Sequence, residues 1–280
     1  MALNELTDDI IQKPAPVRKT WSWMRITGYT MCGLWALLAV LLAWSLASSY
    51  DADIFDRYAP RMMSGLWLTI QIVILSIVMG TLLALPVALA RLSKSPIISN
   101  IAFGYVYFFR GTPLLAQLFL TYYGAGQFRP VLEDIGMWWF FKEAFNCVML
   151  AFTLNTAAYQ AEILKGAIQS VPKGQREAAM TLGLSAPVTF FKVILPQALI
   201  TALRPLGNEV ILMIKGSAIA SVVTILDLMG TTKLAFSRTY DFNVYMWAAI
   251  MYLSMVETLR YFWERMERYL TRHLRMPNEE

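Results

Sequence analysis

Long apolar runs separated by short polar stretches dominate this chain, and their lengths decide how they are read. Ile26 to Leu46, Met62 to Ala90, Ile98 to Tyr122, Phe140 to Ile163, Gln197 to Val223 and Val244 to Trp263 are each apolar enough to enter a bilayer. A hydrocarbon core of about 30 Å is crossed by roughly 20 helical residues. An open sheet would leave its edges unsatisfied in lipid, whereas a helix closes its hydrogen bonds within itself. The pattern therefore predicts an all-α membrane protein, a polytopic bundle of about six transmembrane helices. The expected division is a tail over 1–25, a first span and loop over 26–61, the main bundle over 62–270 and a tail over 271–280. The first run has the basic flank of a signal peptide. Its apolar core is long, however, and Asp51 to Asp56 follow without a small-residue cleavage pattern, so it is read as a retained span.

A polar group in hydrocarbon is expensive, so each one within a run is a candidate for a pathway or a buried pair. Asn155, Tyr159 and Glu162 stand at i, i+4 and i+7 and share one helical face. They are candidate substrate contacts; pairing of Glu162 with Lys165 or Arg176 is the structural alternative. Phe109-Arg110-Gly111-Thr112-Pro113 sets a charge, a glycine and a proline inside the third run, where they are expected to break the helix and free backbone groups. Arg110, with the backbone of Gly111 and Thr112 nearby, is suited to a carboxylate, and a salt bridge to Glu209 or Glu162 is its alternative. In the second run Gly65, Thr69, Ser76 and Gly80 form a small, weakly polar stripe, the mark of close helix packing, with the Thr69 hydroxyl also a candidate ligand contact. Arg204, Asn208, Glu209 and Lys215 call for burial of the fifth run between helices, Arg204 and Asn208 being expected to bond each other.

Composition agrees with a membrane chain: 57% of 280 residues are hydrophobic, 15% are charged, and the mean hydropathy is +0.49, too apolar for a soluble domain. The net charge of +5 is explained by lysines and arginines near span ends, so no nucleic acid need be invoked. Lys13, Arg18, Lys19 and Arg25 precede the first run, Lys165, Lys173, Arg176 and Lys192 fill the fourth-to-fifth loop, and Arg260, Arg265, Arg268, Arg272 and Arg275 crowd the end. Both termini and that loop are thereby expected on the cytoplasmic side. Cys32 and Cys147 lie in apolar runs and His273 stands alone, so neither a disulfide framework nor a metal site is expected. There is no glycine-rich phosphate loop, and any nucleotide must be hydrolysed by another chain.

Between the fourth and fifth runs the chain turns amphipathic, with Glu177-Ala178-Ala179-Met180-Thr181-Leu182-Gly183 and then, eleven residues after the glycine, Ile194-Leu195-Pro196. This loop, 169–195, resembles the EAA loop of ATP-binding-cassette (ABC) importer permeases. Phe109 to Leu114, Leu150 to Thr156, Ala161 to Ile163, Ala167 to Gln175 and Asn208 to Leu212 resemble the same family, in particular the M-type permeases for histidine, lysine, arginine and ornithine or for opines. The resemblance implies a type I importer core of five helices, with one extra N-terminal span, in a bacterial inner membrane. It implies no enzymatic activity and no cofactor in this chain, ATP and Mg belonging to a partner ATPase. The partners it implies are a second permease subunit, paralogous and so forming a heterodimer, two ATP-binding subunits, a periplasmic substrate-binding protein and the amino acid, carried by alternating access. It assigns Arg110, Gly111 and Thr112 to the substrate carboxylate, Asn155 and Glu162 to its cationic end, and Glu177, Ala178, Ala179, Gly183 and Pro196 to coupling with the ATPase. Two other classes fit the buried charges. An ion-coupled secondary amino-acid transporter would need no ATPase-docking loop, and in a non-transporting structural subunit Arg110, Asn155 and Glu162 would be packing pairs.

Overall fold

A computed structural model describes residues 23–48 and 50–272, and among them the regular structure is helical throughout. The chain divides into two units, residues 1–50 and 51–280. The first is represented by helix α1, Trp23–Ser48, none of whose residues is buried. At 1.5 Å per residue its 26 residues reach about 39 Å, more than a bilayer core.

The second unit begins with α2, Ala52–Arg91, whose start is set by Asp51: its Oδ1 accepts the amides of Asp53 and Ile54 at 2.9 and 3.2 Å. The segment 51–61, expected as a loop, is thus helical from Ala52 onward. Tyr58 supplies the reason, because it is buried against Ala235 and Val244 and anchors the extra turns. α3, Pro96–Gly111, stops at the extended Thr112, and α4, Leu114–Phe119, resumes after Pro113. The break expected at Gly111-Thr112-Pro113 is therefore present. α5, Ala144–Ser170, runs further than Ile163 and leads through Val171-Pro172 into the short α6, Lys173–Thr181. α7, Leu195–Gly216, follows a π-helical turn over Thr189–Ile194 and passes into a 3-10 segment, Ser217–Val223. Residues 224–243, expected as a loop, contain α8, Leu228–Thr239, before α9, Asn243–Leu270. α8 escaped the apolar-run criterion because it is only 12 residues long and rich in polar residues, with Thr231 and Thr232 buried.

Of the six expected spans, Trp23–Ser48, Ala52–Arg91 and the continuous helical stretch Ala186–Val223 are both long and apolar enough to cross a membrane unaided. α5 is long but more polar, since Asn155, Thr156 and Gln160 on it are buried by neighbouring helices and not offered to lipid. α2 has an inside-out pattern for the same reason. Gly65, Thr69, Ser76 and Gly80 are all buried, while Trp67, Ile74, Val78 and Leu82 point outward and stay exposed. Lipid tails are as apolar as leucine, so helices here associate by close packing of small residues, not by hiding large ones from water.

α5 is the central helix and packs on α2, α3, α4 and α7. Two positions show how tightly α2 is held. A Cβ on Gly80 would overlap Thr156 Cγ2 on α5, and one on Gly65 would lie 2.6 Å from Thr231 Oγ1 and 2.7 Å from the Asp227 carbonyl. Ala84 and Ala88 of α2 continue the contact against Ala161 and Leu164, beside Val106 of α3 and Ala198 of α7.

Candidate functional site

The break between α3 and α4 organises the polar centre of the bundle. Ending a helix frees carbonyls, and in lipid they need partners. Gln117, one turn into α4, supplies them: its Nε2 donates to the carbonyls of Phe109 and Thr112 at 2.9 and 3.1 Å and to Thr112 Oγ1 at 2.8 Å. Asn155 completes the clamp from α5, its Nδ2 donating to the Phe109 carbonyl and to Gln117 Oε1, both at 3.0 Å. The Thr112 amide donates to the Phe108 carbonyl at 3.1 Å and its hydroxyl to the same oxygen at 2.8 Å. The carbonyls freed by the break are thus held by side chains. In this conformation the Thr112 amide and the Asn155 amide nitrogen are both engaged within the chain.

Beside this clamp lies a cavity of about 330 Å³ lined by Arg91, Phe103, Tyr107, Arg110, Tyr159 and Glu162, with Gly111 at its edge. Arg110 is exposed and its guanidinium carbon sits 5.3 Å from the centre of the Tyr159 ring, within cation–π range. No carboxylate among the described residues lies within ion-pairing distance of Arg110, so neither Glu209 nor Glu162 is its salt-bridge partner. Gly111 has open space where a side chain would stand. Glu162 meets Lys165 Nζ at 2.8 Å, as one sequence alternative held, and Arg91 Nη2 at 3.5 Å, a partner 71 residues away that the sequence did not indicate. Arg176 is not its partner.

A second, smaller cavity of about 150 Å³ also has Tyr159 in its lining, together with Asn155, Glu209, Leu114 and Met213. Glu209 is buried and accepts from Thr156 Oγ1 at 3.0 Å; Thr156 accepts from Gln160 Nε2 at 3.2 Å, and Thr81 Oγ1 donates to Gln160 Oε1 at 2.7 Å. This relay joins α2, α5 and α7 through groups that hydrocarbon would not tolerate singly. Gln117, Thr156 and Gln160 were missed in the sequence. Gln117 stands alone in Leu114-Leu115-Ala116-Gln117-Leu118-Phe119, a polar residue in an apolar run, which was the available signal.

Thr69 belongs to neither cavity. It is fully buried, donates to the Gly65 carbonyl at 3.0 Å and accepts the Leu228 amide at 3.0 Å, so it ties α2 to the first turn of α8. Arg204 pairs with Glu267 of α9 and not with Asn208, which corrects another expectation.

The Glu177 segment forms α6, and its stop is legible atom by atom. Gly183 has φ +70°, its amide donates to the Met180 carbonyl at 2.9 Å, and the Leu184 amide reaches back to Ala179 at 3.1 Å. That pair of hydrogen bonds with a left-handed residue is the Schellman helix stop, for which glycine is the usual residue. Ala179 is buried, while Glu177 and Ala178 are exposed, as are the large apolar side chains of Met180 and Leu182. Pro196 lies in the first turn of α7. A cavity of about 610 Å³ separates α6 from the ends of α2 and α5, so α6 stands off the bundle on one side.

Residues 76–276 match the family described as the binding-protein-dependent transport system inner membrane component. The chain is 43% identical over 204 residues to the nopaline transport system permease protein NocM of Agrobacterium fabrum, covering 72% of this chain and 85% of that protein. It is 39% identical over 212 residues to the histidine/lysine/arginine/ornithine transport system permease protein HisM of Salmonella typhimurium, covering 75% and 90%. A crystal structure of an amino acid ABC transporter with histidines superposes with a TM-score of 0.70 at 36% identity, over 79% of this chain and 99% of the other.

Proposed function

This chain belongs to the binding-protein-dependent transport system inner membrane component family, and from that premise we propose that it forms half of the translocation path of an ATP-driven importer for polar amino acids with a cationic side chain, opines included. The other half is a paralogous permease subunit. Two ATP-binding subunits dock on α6, and a periplasmic binding protein delivers the substrate. ATP hydrolysis belongs to those partners; this chain supplies the path and the lever. The proposed layout keeps residues 1–25 and 271–280 in the cytoplasm, 26–61 as an added span with its loop, 62–270 as the importer core and 169–195 as the coupling loop.

The observation that carries this reading is a single cavity whose lining brings together Arg110, Gly111, Glu162 and the Tyr159 ring, with Arg110 over that ring. An amino acid with a cationic side chain is a carboxylate and a cation separated by an apolar stem. Arg110 takes the carboxylate, bidentately and unopposed by any acid of its own; Glu162 takes the cation; Tyr159 lies along the stem. Asn155, Gln117 and Thr112 hold the broken helix that brings Arg110 there. The exposed Met180 and Leu182 beside Glu177 are what α6 offers to an ATPase groove, and its Schellman stop sets the direction in which it projects. ATP binding can shift such a bundle between outward- and inward-open states only through its different affinity for the two.

The test is reconstitution of the four-component complex in proteoliposomes, with ATP inside and no ion gradient. Uptake of arginine that requires ATP, the binding protein and both permease subunits is the expected result. Uptake that instead follows a proton or sodium gradient without the ATPase would overturn the proposal in favour of an ion-coupled carrier.

A further inference from the structure

Arg91 has no role in the site as proposed, yet it stands inside it. It is the last residue of α2, lines the same cavity as Arg110 and Tyr159, and stacks against Phe103 with its guanidinium carbon 4.8 Å from the ring centre. Its side chain is 12% exposed, its Nη2 lies 3.5 Å from Glu162 Oε2, and its buried Nε has no hydrogen-bond partner. Glu162 also holds Lys165 at 2.8 Å. One carboxylate therefore faces two cations of its own chain, and the cluster carries a net positive charge before any ligand arrives.

A ligand's cationic end entering this cluster makes a third claimant, and like charges this close in a partly buried setting repel. One cation must withdraw. Lys165 is the short contact, three residues along the same helix, and moves with Glu162. Arg91 comes from another helix, at the long distance, with a donor to spare and an aromatic face to retire to. The contact does little to hold α2 to α5, because Ala84, Ala88, Ala161 and Leu164 already pack that seam.

Resting on the reading of Glu162 as the contact for the cationic end, we propose that Arg91 is a release residue: it competes with the substrate's cation for Glu162 and expels it when α2 and α5 take the arrangement described here. It is a positioning and specificity residue, acting through Glu162. Its effect is confined to cationic ligands, and it appears as weaker equilibrium binding together with faster turnover.

The experiment uses the complete importer and two probes, L-arginine and its uncharged isostere L-citrulline. With Arg91→Gln, L-arginine should bind the purified permease–ATPase complex about tenfold more tightly and its maximal ATP-driven uptake should fall by a comparable factor, since one competing charge is gone. L-Citrulline binding should change less than twofold. The same substitution in a Glu162→Gln background should change L-arginine affinity less than twofold, because no carboxylate is left to compete for, and this arm needs no pairing at Arg91 for the complex to assemble. If Arg91→Gln alters both probes alike, or neither, while Glu162→Gln selectively weakens L-arginine, the release role is wrong and the site stands. If Glu162→Gln treats the two probes alike, the site reading itself fails.

Discussion

Asn155 separates a brace from a ligand contact by the sign of one measurement. Its amide nitrogen donates to the Phe109 carbonyl and to Gln117 Oε1, both at 3.0 Å, and the side chain is buried. Asn155→Asp keeps the size and replaces that donor with an acceptor, so that an ionised carboxylate would face two acceptor oxygens at hydrogen-bond distance. Protonation recovers one donor at best. The Phe109 carbonyl keeps its bond from Gln117 Nε2 at 2.9 Å, whereas Gln117 Oε1 has no other donor among the described residues. Where Gln117 Oε1 is stranded the cost is about 1–3 kcal/mol, and Asn155→Leu, which can donate to neither oxygen in any protonation state, should cost about 2–4 kcal/mol. The readouts are thermal stability of the purified complex and uptake of L-arginine and L-citrulline in proteoliposomes. A brace predicts lower stability and an equal fall in uptake for both substrates, with leucine worse than aspartate. A direct contact to the cationic end predicts the reverse for aspartate, since an added carboxylate there attracts the cation. Selective gain of L-arginine uptake at unchanged stability would refute the brace.

Gly80→Ala should destabilise the bundle by about 1–3 kcal/mol, because the new methyl overlaps Thr156 Cγ2 and the seam cannot open. Adding Thr156→Ser, which removes that methyl and keeps the hydroxyl on Glu209, should restore at least half of the loss in a thermal-aggregation assay; no rescue would mean that the clash is not the cause. Gly183→Val forces a β-branched residue into a left-handed conformation at a cost of about 1–2 kcal/mol, which should lower uptake per ATP hydrolysed severalfold, while Gly183→Asn, tolerant of that conformation, should be milder. Full coupling in the valine variant would remove the helix stop from the mechanism. With Cys32 and Cys147 replaced by alanine, a cysteine at Asn278 should resist an impermeant thiol reagent in intact cells and react once the membrane is opened. Ready labelling of intact cells would overturn the proposed topology.

The sequence alone settled what depends on near neighbours along the chain. Run length and apolarity specify helices in lipid, because no other open structure satisfies its own backbone there. The stripe from Gly65 to Gly80 marked the packed face of α2, and glycine followed by proline marked the break before α4. Helix α8 fell outside this logic, being too short and too polar to register as a run; its place depends on the Leu228 amide meeting Thr69, 159 residues away. Pairing is where tertiary structure decided. Glu162 had Lys165 in view along its own helix, but Arg91 reaches it only because α2 and α5 pack along alanines, which no local pattern encodes. Asn155 and Glu162 share a helical face, yet distant segments of the chain engage Asn155 with the broken helix and set Glu162 between Arg91 and Lys165. Periodicity reports which face of a helix is buried; the chemistry of that face is set by whichever distant segment is close enough to fill its hydrogen bonds and balance its charge.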